Sequence, residues 1–274
     1  MRYERISVEK IHPLIGAEIS DVDLSGPLDD ETIAEIHDAW MKHLLIIFRD
    51  QSLSPDQHMA FGQRFGKLHI HPAVAFSNQR PEILVVKADE NSTRISGEDW
   101  HSDVSCEEEP PMGSLLYITT VPPQGGGDTL FADMYRAYES LSEPIRKMLA
   151  GMTAVHDGKH VFDRPGYRED RRFPCTEHPV VRTHPVTGRQ ALFVNRGFTT
   201  HIVGLSRNES DAILQMLYRH IETPEFSVRL HWRPNTLACW DNRCTQHRAL
   251  FDYFPNRRYG ERVTVIGERP FFRA

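Results

Sequence analysis

The sequence predicts a mainly β protein with a few peripheral helices. Many short apolar runs are separated by polar turn residues, whereas only four segments are expected to be helical, from helical spacing of apolar residues or from capping residues. Short strands in this number are typical of two packed sheets, so we expect a double-stranded β-helix core of the jelly-roll, cupin-like kind. The length of 274 residues suits one such domain, residues 1–274.

Each element follows from its local pattern. The second helix is expected to begin at Ser54-Pro55, a capping residue followed by proline, and the fourth at a capping box from Ser206 to Glu209. A polar stretch, residues 157–178, has little periodicity and is expected to form a loop, of the kind that often acts as a lid. We expect helices at residues 30–44, 54–66, 134–150 and 206–220. We expect strands at residues 5–8, 17–24, 45–48, 83–87, 114–121, 128–133, 180–184, 190–194, 226–232, 236–241 and 262–267.

Composition and charge exclude several classes of function. The chain is 39% hydrophobic and 26% charged, as ordinary soluble globular proteins are. Its formal net charge of −6 gives no electrostatic reason to bind nucleic acid or an anionic membrane. Residues 1–10 lack the apolar stretch of a signal peptide, no apolar run is long enough to span a bilayer, and the cysteines form no C-x-x-C pair. We therefore expect a cytoplasmic protein with reduced thiols.

Three residues have the pattern of a metal site. Two histidines and one carboxylate, His101, Asp103 and His247, can occupy one face of an octahedral metal and leave the other positions open. Residues i and i+2 point to the same side of a strand, so the His-x-Asp pair fits one strand end. The distal histidine would then come from a second strand. This ligand set is typical of non-haem Fe(II) oxygenases.

Two arginines and a glycine-rich turn supply candidate anion-binding groups. Arg258 and Arg262 point to one side if their segment is extended, and a planar guanidinium can bind a carboxylate or sulfonate through two hydrogen bonds. A run of three glycines, residues 125–127, permits a tight turn into a strand where Thr129 offers a hydroxyl to a carboxylate. No Gly-Lys-Ser/Thr follows these glycines, so they are not a phosphate-binding loop.

Together these motifs resemble the TauD/TfdA family of Fe(II)/2-oxoglutarate-dependent dioxygenases, typified by taurine dioxygenase and the phenoxyacetate-herbicide dioxygenase. The resemblance extends over nearly the whole chain and is closest to the taurine dioxygenase branch. The motifs that carry it are His101-x-Asp103, Gly126-Gly127-Asp128-Thr129, Trp240-Asp241-Asn242-Arg243, Thr245-Gln246-His247, Arg258…Arg262, Leu68-His69-Ile70-His71-Pro72 and Gly197-Phe198-Thr199-Thr200.

The resemblance implies a reaction and a cosubstrate. His101, Asp103 and His247 would bind Fe(II), and Thr129 and Arg258 would bind the distal carboxylate of 2-oxoglutarate, leaving one metal position for O2. The implied reaction decarboxylates 2-oxoglutarate to succinate and CO2 and hydroxylates a C–H bond of the substrate. A carboxylate at position 103 favours hydroxylation over halogenation. Because relatives commonly form dimers or tetramers, the resemblance also implies a homo-oligomer.

The substrate pocket departs from the taurine pattern. Where the taurine branch has a Tyr and an Asn, this chain has Val74 and Gly97, so the pocket is expected to be larger and more apolar. We therefore expect a small organic anion such as an alkyl or aryl sulfonate, a sulfate ester or a carboxylate, rather than taurine. The residues implied in holding it are His71, Val74, Phe162, Phe198 and Arg262.

Two other classes of protein share parts of this pattern. A non-catalytic cupin-like binding module would need the three metal ligands but not the cosubstrate groups, so Thr129 and Arg258 argue against it. A zinc hydrolase could use His101, His247 and a carboxylate, but its water needs a general base that the sequence does not identify uniquely. Formation of succinate from 2-oxoglutarate distinguishes both from a dioxygenase.

Overall fold

The computed structural model describes residues 3–72, 79–163 and 173–274. Strands alternate with a few helices along these ranges, as the sequence predicts. The strands are β1 (Ser7–Lys10), β2 (Ala17–Ser20), β3 (Leu45–Phe48), β4 (Ile83–Ala88), β5 (Gly113–Thr120), β6 (Thr129–Asp133), β7 (Thr153–Asp157), β8 (Cys175–Pro179), β9 (Val181–Thr183), β10 (Gln190–Leu192), β11 (Thr199–Ile202), β12 (Ser227–Leu230), β13 (Thr236–Asp241), β14 (Thr245–Ala249) and β15 (Arg258–Val265). The helices are α1 (Asp30–His43), α2 (Pro55–Gln63), α3 (Met134–Glu139), α4 (Glu143–Leu149), α5 (Lys159–Phe162) and α6 (Arg207–Ile221).

The strands assemble into one large and several small sheets. The large sheet has the order β1-β2-β3-β13-β5-β15-β4, and a three-stranded sheet has the order β12-β6-β14. Leu45 and Ile47 of β3 share an apolar core with Phe131 of β6, so the inner face of the large sheet packs toward the small one. The other face of β3, with Ile46 and Phe48, packs in a second core. Period-two alternation thus explains why every side chain of β3 is buried, and the mainly β jelly-roll prediction is confirmed.

Helices α1 and α2 cover the outer face of the large sheet. Trp40 of α1 and Phe61 of α2 lie in the same core as Ile46 and Phe48. Asp29 caps α1 by accepting a hydrogen bond from the amide of Thr32. The predicted capping box of α6 and the predicted Ser54 N-cap of α2 are both present, and Gln57 extends the α2 cap to a capping box. None of the helices in the described ranges is long and apolar enough to cross a membrane.

Some predicted boundaries are wrong, for identifiable reasons. The single helix expected at 134–150 is two helices, because α3 ends at Glu139 and α4 begins after Ser142 with Pro144 in its first turn. Proline has no amide hydrogen and clashes with the preceding turn, so it is not accommodated inside one continuous helix. The last strand begins at Arg258, not at residue 262.

The loop expected at residues 157–178 is structured at both ends. Helix α5 occupies its first part, and β8 occupies its last part by pairing antiparallel with β7. The register places Asp157 opposite Cys175 and Thr153 opposite Pro179. Three of the five residues of β8, Cys175, Thr176 and Glu177, are exposed or half-buried, and no apolar alternation marks this strand in the sequence. Residues 164–172 lie outside the described ranges.

Candidate metal centre and its cavity

The three candidate metal ligands come from two backbone segments that pair with each other. His247 lies on β14, as expected of the distal histidine. His101 is not on a regular strand: it forms an isolated antiparallel bridge with His247, and Asp103 follows in a turn. The amide of His101 donates to the carbonyl of His247 at 3.1 Å, and the amide of His247 donates back at 2.9 Å. This pairing fixes the two imidazoles side by side, with ring centroids 4.1 Å apart.

The side-chain atoms of this triad converge. Oδ1 of Asp103 lies 3.7 Å from Nε2 of His101 and 3.8 Å from Nε2 of His247. One ligand atom from each residue lies within 4.8 Å of the other two. Two imidazole nitrogens and one carboxylate oxygen suit Fe(II) in an open site, so the donor set fits the metal that the sequence implies.

Neighbouring groups orient these ligands. Nδ1 of His101 lies 2.8 Å from the carbonyl of Asp99, so this nitrogen donates its hydrogen and Nε2 keeps its lone pair toward the site. The ring of His247 packs against Phe131 and Trp240, with centroids at 5.8 and 4.8 Å. Burial lowers the pKa of His247 well below its usual value, and the nearby His101 lowers it further. The imidazole of His247 is therefore neutral, as a metal ligand must be.

The carboxylate of Asp103 is held from both sides. Ser114 on β5 donates a hydrogen bond to Oδ2 at 2.7 Å, and NH1 of Arg262 lies 2.5 Å from Oδ1. Burial alone raises the pKa of Asp103, but the charge of Arg262 holds that pKa well below its usual range. Asp103 is 2% exposed and ionised, so the site presents one buried negative charge.

A second anion-binding group lies on the same strand. Arg258 and Arg262 are four residues apart on β15, where Arg258 pairs with Ala88 of β4 and Arg262 with Leu84. Because side chains alternate along a strand, both arginines lie on one face of the sheet. Arg258 is 5% exposed, no carboxylate of the described residues forms an ion pair with it, and its Nε has no hydrogen-bond partner among them. Burial lowers its pKa from the usual arginine value. Burying a guanidinium without an anion costs free energy, which indicates that Arg258 binds the anionic group of a ligand.

Thr129 and Trp232 complete the surroundings of Arg258. The indole Nε1 of Trp232 donates to Oγ1 of Thr129 at 3.0 Å, so the hydroxyl hydrogen of Thr129 is left to donate elsewhere. The guanidinium carbon of Arg258 lies 5.5 Å from the centre of the Trp232 ring. Gly127 has φ +68°, and a Cβ there would lie 2.8 Å from Cδ of Arg258. Only glycine lets the turn approach this arginine so closely.

One cavity of about 410 Å³ contains both the triad and the surroundings of Arg258. It is lined by the three candidate ligands, by Thr129 and Arg258, and by four of the five residues predicted to hold substrate: His71, Phe162, Phe198 and Arg262. Val74, the fifth, lies outside the described residues. Leu84 and Val86 of β4, which the sequence reasoning did not single out, also line the cavity. The candidate metal ligands, the cosubstrate candidates and the substrate candidates that the structure describes thus share one cavity.

The substrate end is aromatic. The ring of Phe162 lies 5.5 Å from His71 and 5.8 Å from Phe198, and Phe198 lies 6.4 Å from His101. Burial lowers the pKa of His71 to about 3, and Arg262 contributes in the same direction. A neutral His71 can donate a hydrogen bond to an anion but adds no charge, so Arg262 supplies the charge at this end.

Gly97 leaves space beside the first ligand. Its φ is +86°, a conformation that side chains with a Cβ rarely adopt, and a Cβ there would lie 3.1 Å from Cε1 of His101. No side chain at position 97 therefore separates the ring edge of His101 from the cavity.

Comparison with known proteins places the chain in a family. Residues 7–264 match the family described as taurine catabolism dioxygenase TauD, TfdA family. An alpha-ketoglutarate-dependent sulfonate dioxygenase of Saccharomyces cerevisiae is 35% identical over 97% of this chain and 68% of its own length. An alpha-ketoglutarate-dependent sulfate ester dioxygenase of Pseudomonas putida is 36% identical over 95% of this chain and 90% of its own length. The crystal structure of a taurine dioxygenase from Burkholderia xenovorans superposes with a TM-score of 0.85 at 36% identity, covering 98% of this chain and 92% of the other. The chain belongs to the TauD/TfdA family of dioxygenases, as its motifs predicted.

Proposed function

We propose that this chain is an Fe(II)- and 2-oxoglutarate-dependent dioxygenase that hydroxylates a small organic anion and releases succinate and CO2. The observation that carries the proposal is the single cavity, in which the triad of His101, Asp103 and His247 lies with two buried arginines of one strand. One arginine suits the cosubstrate and the other suits the substrate. The alpha-ketoglutarate dependence named for its relatives supports the same reaction, since alpha-ketoglutarate is 2-oxoglutarate.

One set of residues would hold the metal and another would hold 2-oxoglutarate. His101, Asp103 and His247 would hold iron, which when bound supplies the centre at which 2-oxoglutarate and O2 react. Arg258 would form an ion pair with the distal carboxylate of 2-oxoglutarate, and the hydroxyl of Thr129 would donate to the same carboxylate. Because Arg258 is buried, this ion pair excludes water and fixes the cosubstrate in one orientation.

The substrate class follows from the other end of the cavity. Arg262 and His71 would hold the anionic head, and Phe162, Phe198 and Leu84 would contact an apolar tail. A sulfonate, sulfate ester or carboxylate satisfies this arrangement, and the relatives named for sulfonates and sulfate esters support it. We place taurine lower among the substrates, because Gly97 supplies no side chain to meet its ammonium group.

The alternatives make different demands on the same residues. A binding module or a zinc hydrolase has no use for a second buried arginine in the cavity, Arg258, that forms an ion pair with no carboxylate of the described residues. A hydrolase would release sulfate from a sulfate ester without O2 or 2-oxoglutarate. A dioxygenase requires both.

The test is a substrate panel with the purified protein, Fe(II), ascorbate and 2-oxoglutarate. Alkyl sulfonates, alkyl sulfate esters and phenoxy acids would be scored by succinate formation and by release of sulfite or sulfate. We expect succinate formation that depends on one class of anion and is lost in Asp103→Ala. Succinate formation by no member of the panel, together with no uncoupled turnover, would overturn the proposal.

A further inference from the structure

Ser114 makes a hydrogen bond that the family motifs do not include. It lies on β5, is fully buried, and donates from Oγ to Oδ2 of Asp103 at 2.7 Å. Its Oγ also accepts a hydrogen bond from Nδ2 of Asn242 at 3.0 Å. A serine hydroxyl has one hydrogen to give. Because the Asn242 amide can only donate to this oxygen, the serine hydrogen must go to the carboxylate.

The orientation of Asn242 is fixed as well. Its Oδ1 accepts from the indole of Trp240 at 3.0 Å and from the amide of Asp103 at 3.3 Å. Both partners are N–H groups and cannot accept, so the side-chain amide cannot be flipped without losing both bonds. Trp240, Asn242 and Ser114 therefore form a directed chain of buried hydrogen bonds that ends on one oxygen of Asp103.

We propose that Ser114 is a positioning residue that holds Oδ2 of Asp103 away from the metal, so that the carboxylate presents Oδ1 alone. This inference rests on the proposed function, because it takes the triad to be a metal centre. Oδ1 is the oxygen that lies 3.7 and 3.8 Å from the two imidazole nitrogens. A carboxylate that binds through one oxygen leaves more of the coordination sphere to 2-oxoglutarate and O2 than one that binds through two.

A matched control lies beside it in the chain. Ser102 is 1% exposed, and its hydroxyl donates at 2.7 Å to the main-chain carbonyl of Asn242. It therefore contacts the same asparagine but not the carboxylate of Asp103. Replacing either serine with alanine removes one buried hydroxyl near the site, and only Ser114→Ala frees Oδ2.

The experiment measures binding of Mn(II) alone to the full chain, without cosubstrate, by the electron paramagnetic resonance signal of the free ion. Changes in groups that orient metal ligands typically cost about 10- to 100-fold in affinity, so we expect a rise of that size in the Mn(II) Kd of Ser114→Ala. Ser102→Ala should bind as the wild type does. Ser114→Cys keeps a weaker donor of similar size, so its Mn(II) Kd should lie between those of Ser114→Ala and Ser102→Ala. This variant also provides the test if Ser114→Ala does not fold.

The outcomes separate this inference from the proposed function. If the wild type binds Mn(II) and the Ser114 variants bind it equally well, the positioning role is wrong and the dioxygenase proposal stands. Equal losses in the Ser102 and Ser114 variants would also overturn it, because the effect would then come from general damage to the buried network. Failure of the wild type itself to bind Mn(II) would overturn both. Without metal, the thermal stability of both alanine variants is expected to fall, because each loses one buried hydrogen bond. A loss of stability alone would therefore not produce weaker Mn(II) binding in Ser114→Ala and unchanged binding in Ser102→Ala.

Discussion

The guanidinium of Arg262 lies 2.5 Å from Oδ1 of Asp103, the same oxygen that faces both candidate histidine ligands. The cation proposed to hold the substrate is therefore in direct contact with a proposed metal ligand. We expect an anion bound by Arg262 to lie next to the proposed metal centre, which would place the C–H bond nearest the anionic group for hydroxylation. For a sulfonate or a sulfate ester, this carbon bears the leaving group, and its hydroxylation leads to release of sulfite or sulfate.

Removing Arg258 tests the cosubstrate end of the cavity. Loss of one partner of a buried charge pair costs on the order of 3–5 kcal/mol, so Arg258→Ala should raise the KM for 2-oxoglutarate by roughly 100-fold or more. Its neighbour Arg257 has a 72% exposed side chain that pairs with Glu90, so Arg257→Ala is the control and should leave this KM unchanged. An unchanged KM in Arg258→Ala would mean that another cation holds the carboxylate.

Trp232 should act on the cosubstrate through Thr129. Trp232→Phe keeps an aromatic ring beside Arg258 but removes the indole donor, so the hydroxyl of Thr129 loses its fixed orientation. A hydrogen bond of this kind contributes about 0.5–1.5 kcal/mol, which predicts a KM for 2-oxoglutarate higher by roughly 2- to 10-fold. The same substitution made in a Thr129→Ala background should have little further effect. Additive effects of the two substitutions would show that Trp232 acts independently of Thr129.

Affinity for substrate should rise with the length of its apolar tail. Each methylene buried in the cavity contributes ~0.8 kcal/mol, roughly fourfold in affinity, until the space is filled. Taurine should therefore bind more weakly than hexanesulfonate in titrations monitored by the Fe(II)–2-oxoglutarate absorption. Tighter binding of taurine would restore the ordinary taurine assignment.

A bulky residue on β4 offers a matched test of the same idea. Leu84 lines the cavity and pairs with Arg262 across β4 and β15. Val186 is 56% exposed in the turn between β9 and β10 and is not among the residues that line the cavity. Leu84→Trp should abolish the preference for long tails and Val186→Trp should preserve it. Equal behaviour of the two variants would place the tail elsewhere.

Buried histidines should make stability fall on mild acidification. Burial lowers the pKa of His58 and of His178 to about 4, against an ordinary value of 6.5. Between pH 6.5 and 4 the unfolded chain binds protons that the folded chain does not. The free energy of unfolding therefore decreases as the pH decreases, by about 1.4 kcal/mol per pH unit for each group. Asp133, whose pKa burial raises to about 6, contributes with the opposite sign. Urea unfolding at a series of pH values should show a shallower slope for His58→Gln than for the wild type, and identical slopes would contradict this account.

The parts of the site that the sequence predicts are those set by local pattern. The even spacing of Arg258 and Arg262 predicts that both lie on one face of a strand, because side chains alternate along it. The residue types of His101, Asp103 and His247 predict a metal site without any knowledge of distances. Chemistry that depends on residue type and short spacing is therefore accessible before the fold is known.

The parts that escaped prediction depend on long-range pairing. Arg262 lies 159 positions from Asp103 in the sequence, and Trp232 lies 103 positions from Thr129. No local sequence pattern predicts contacts over such separations. Ser114 is one of several serines, and only the register of β5 beside β13 brings it to Asp103. The polar strand β8 is stabilised by its partner β7, for which its own sequence gives no signal.

The most direct test of the central claim is turnover under ¹⁸O₂ with Fe(II), 2-oxoglutarate and the best anion of the substrate panel. Oxidative decarboxylation places one atom of O2 in succinate and the other in the hydroxylated carbon. We predict one ¹⁸O atom per succinate, formed only when the anion and O2 are both present, and none in Asp103→Ala. Release of sulfate or sulfite without O2 and 2-oxoglutarate, or succinate without label, would contradict the assignment of this chain as a dioxygenase.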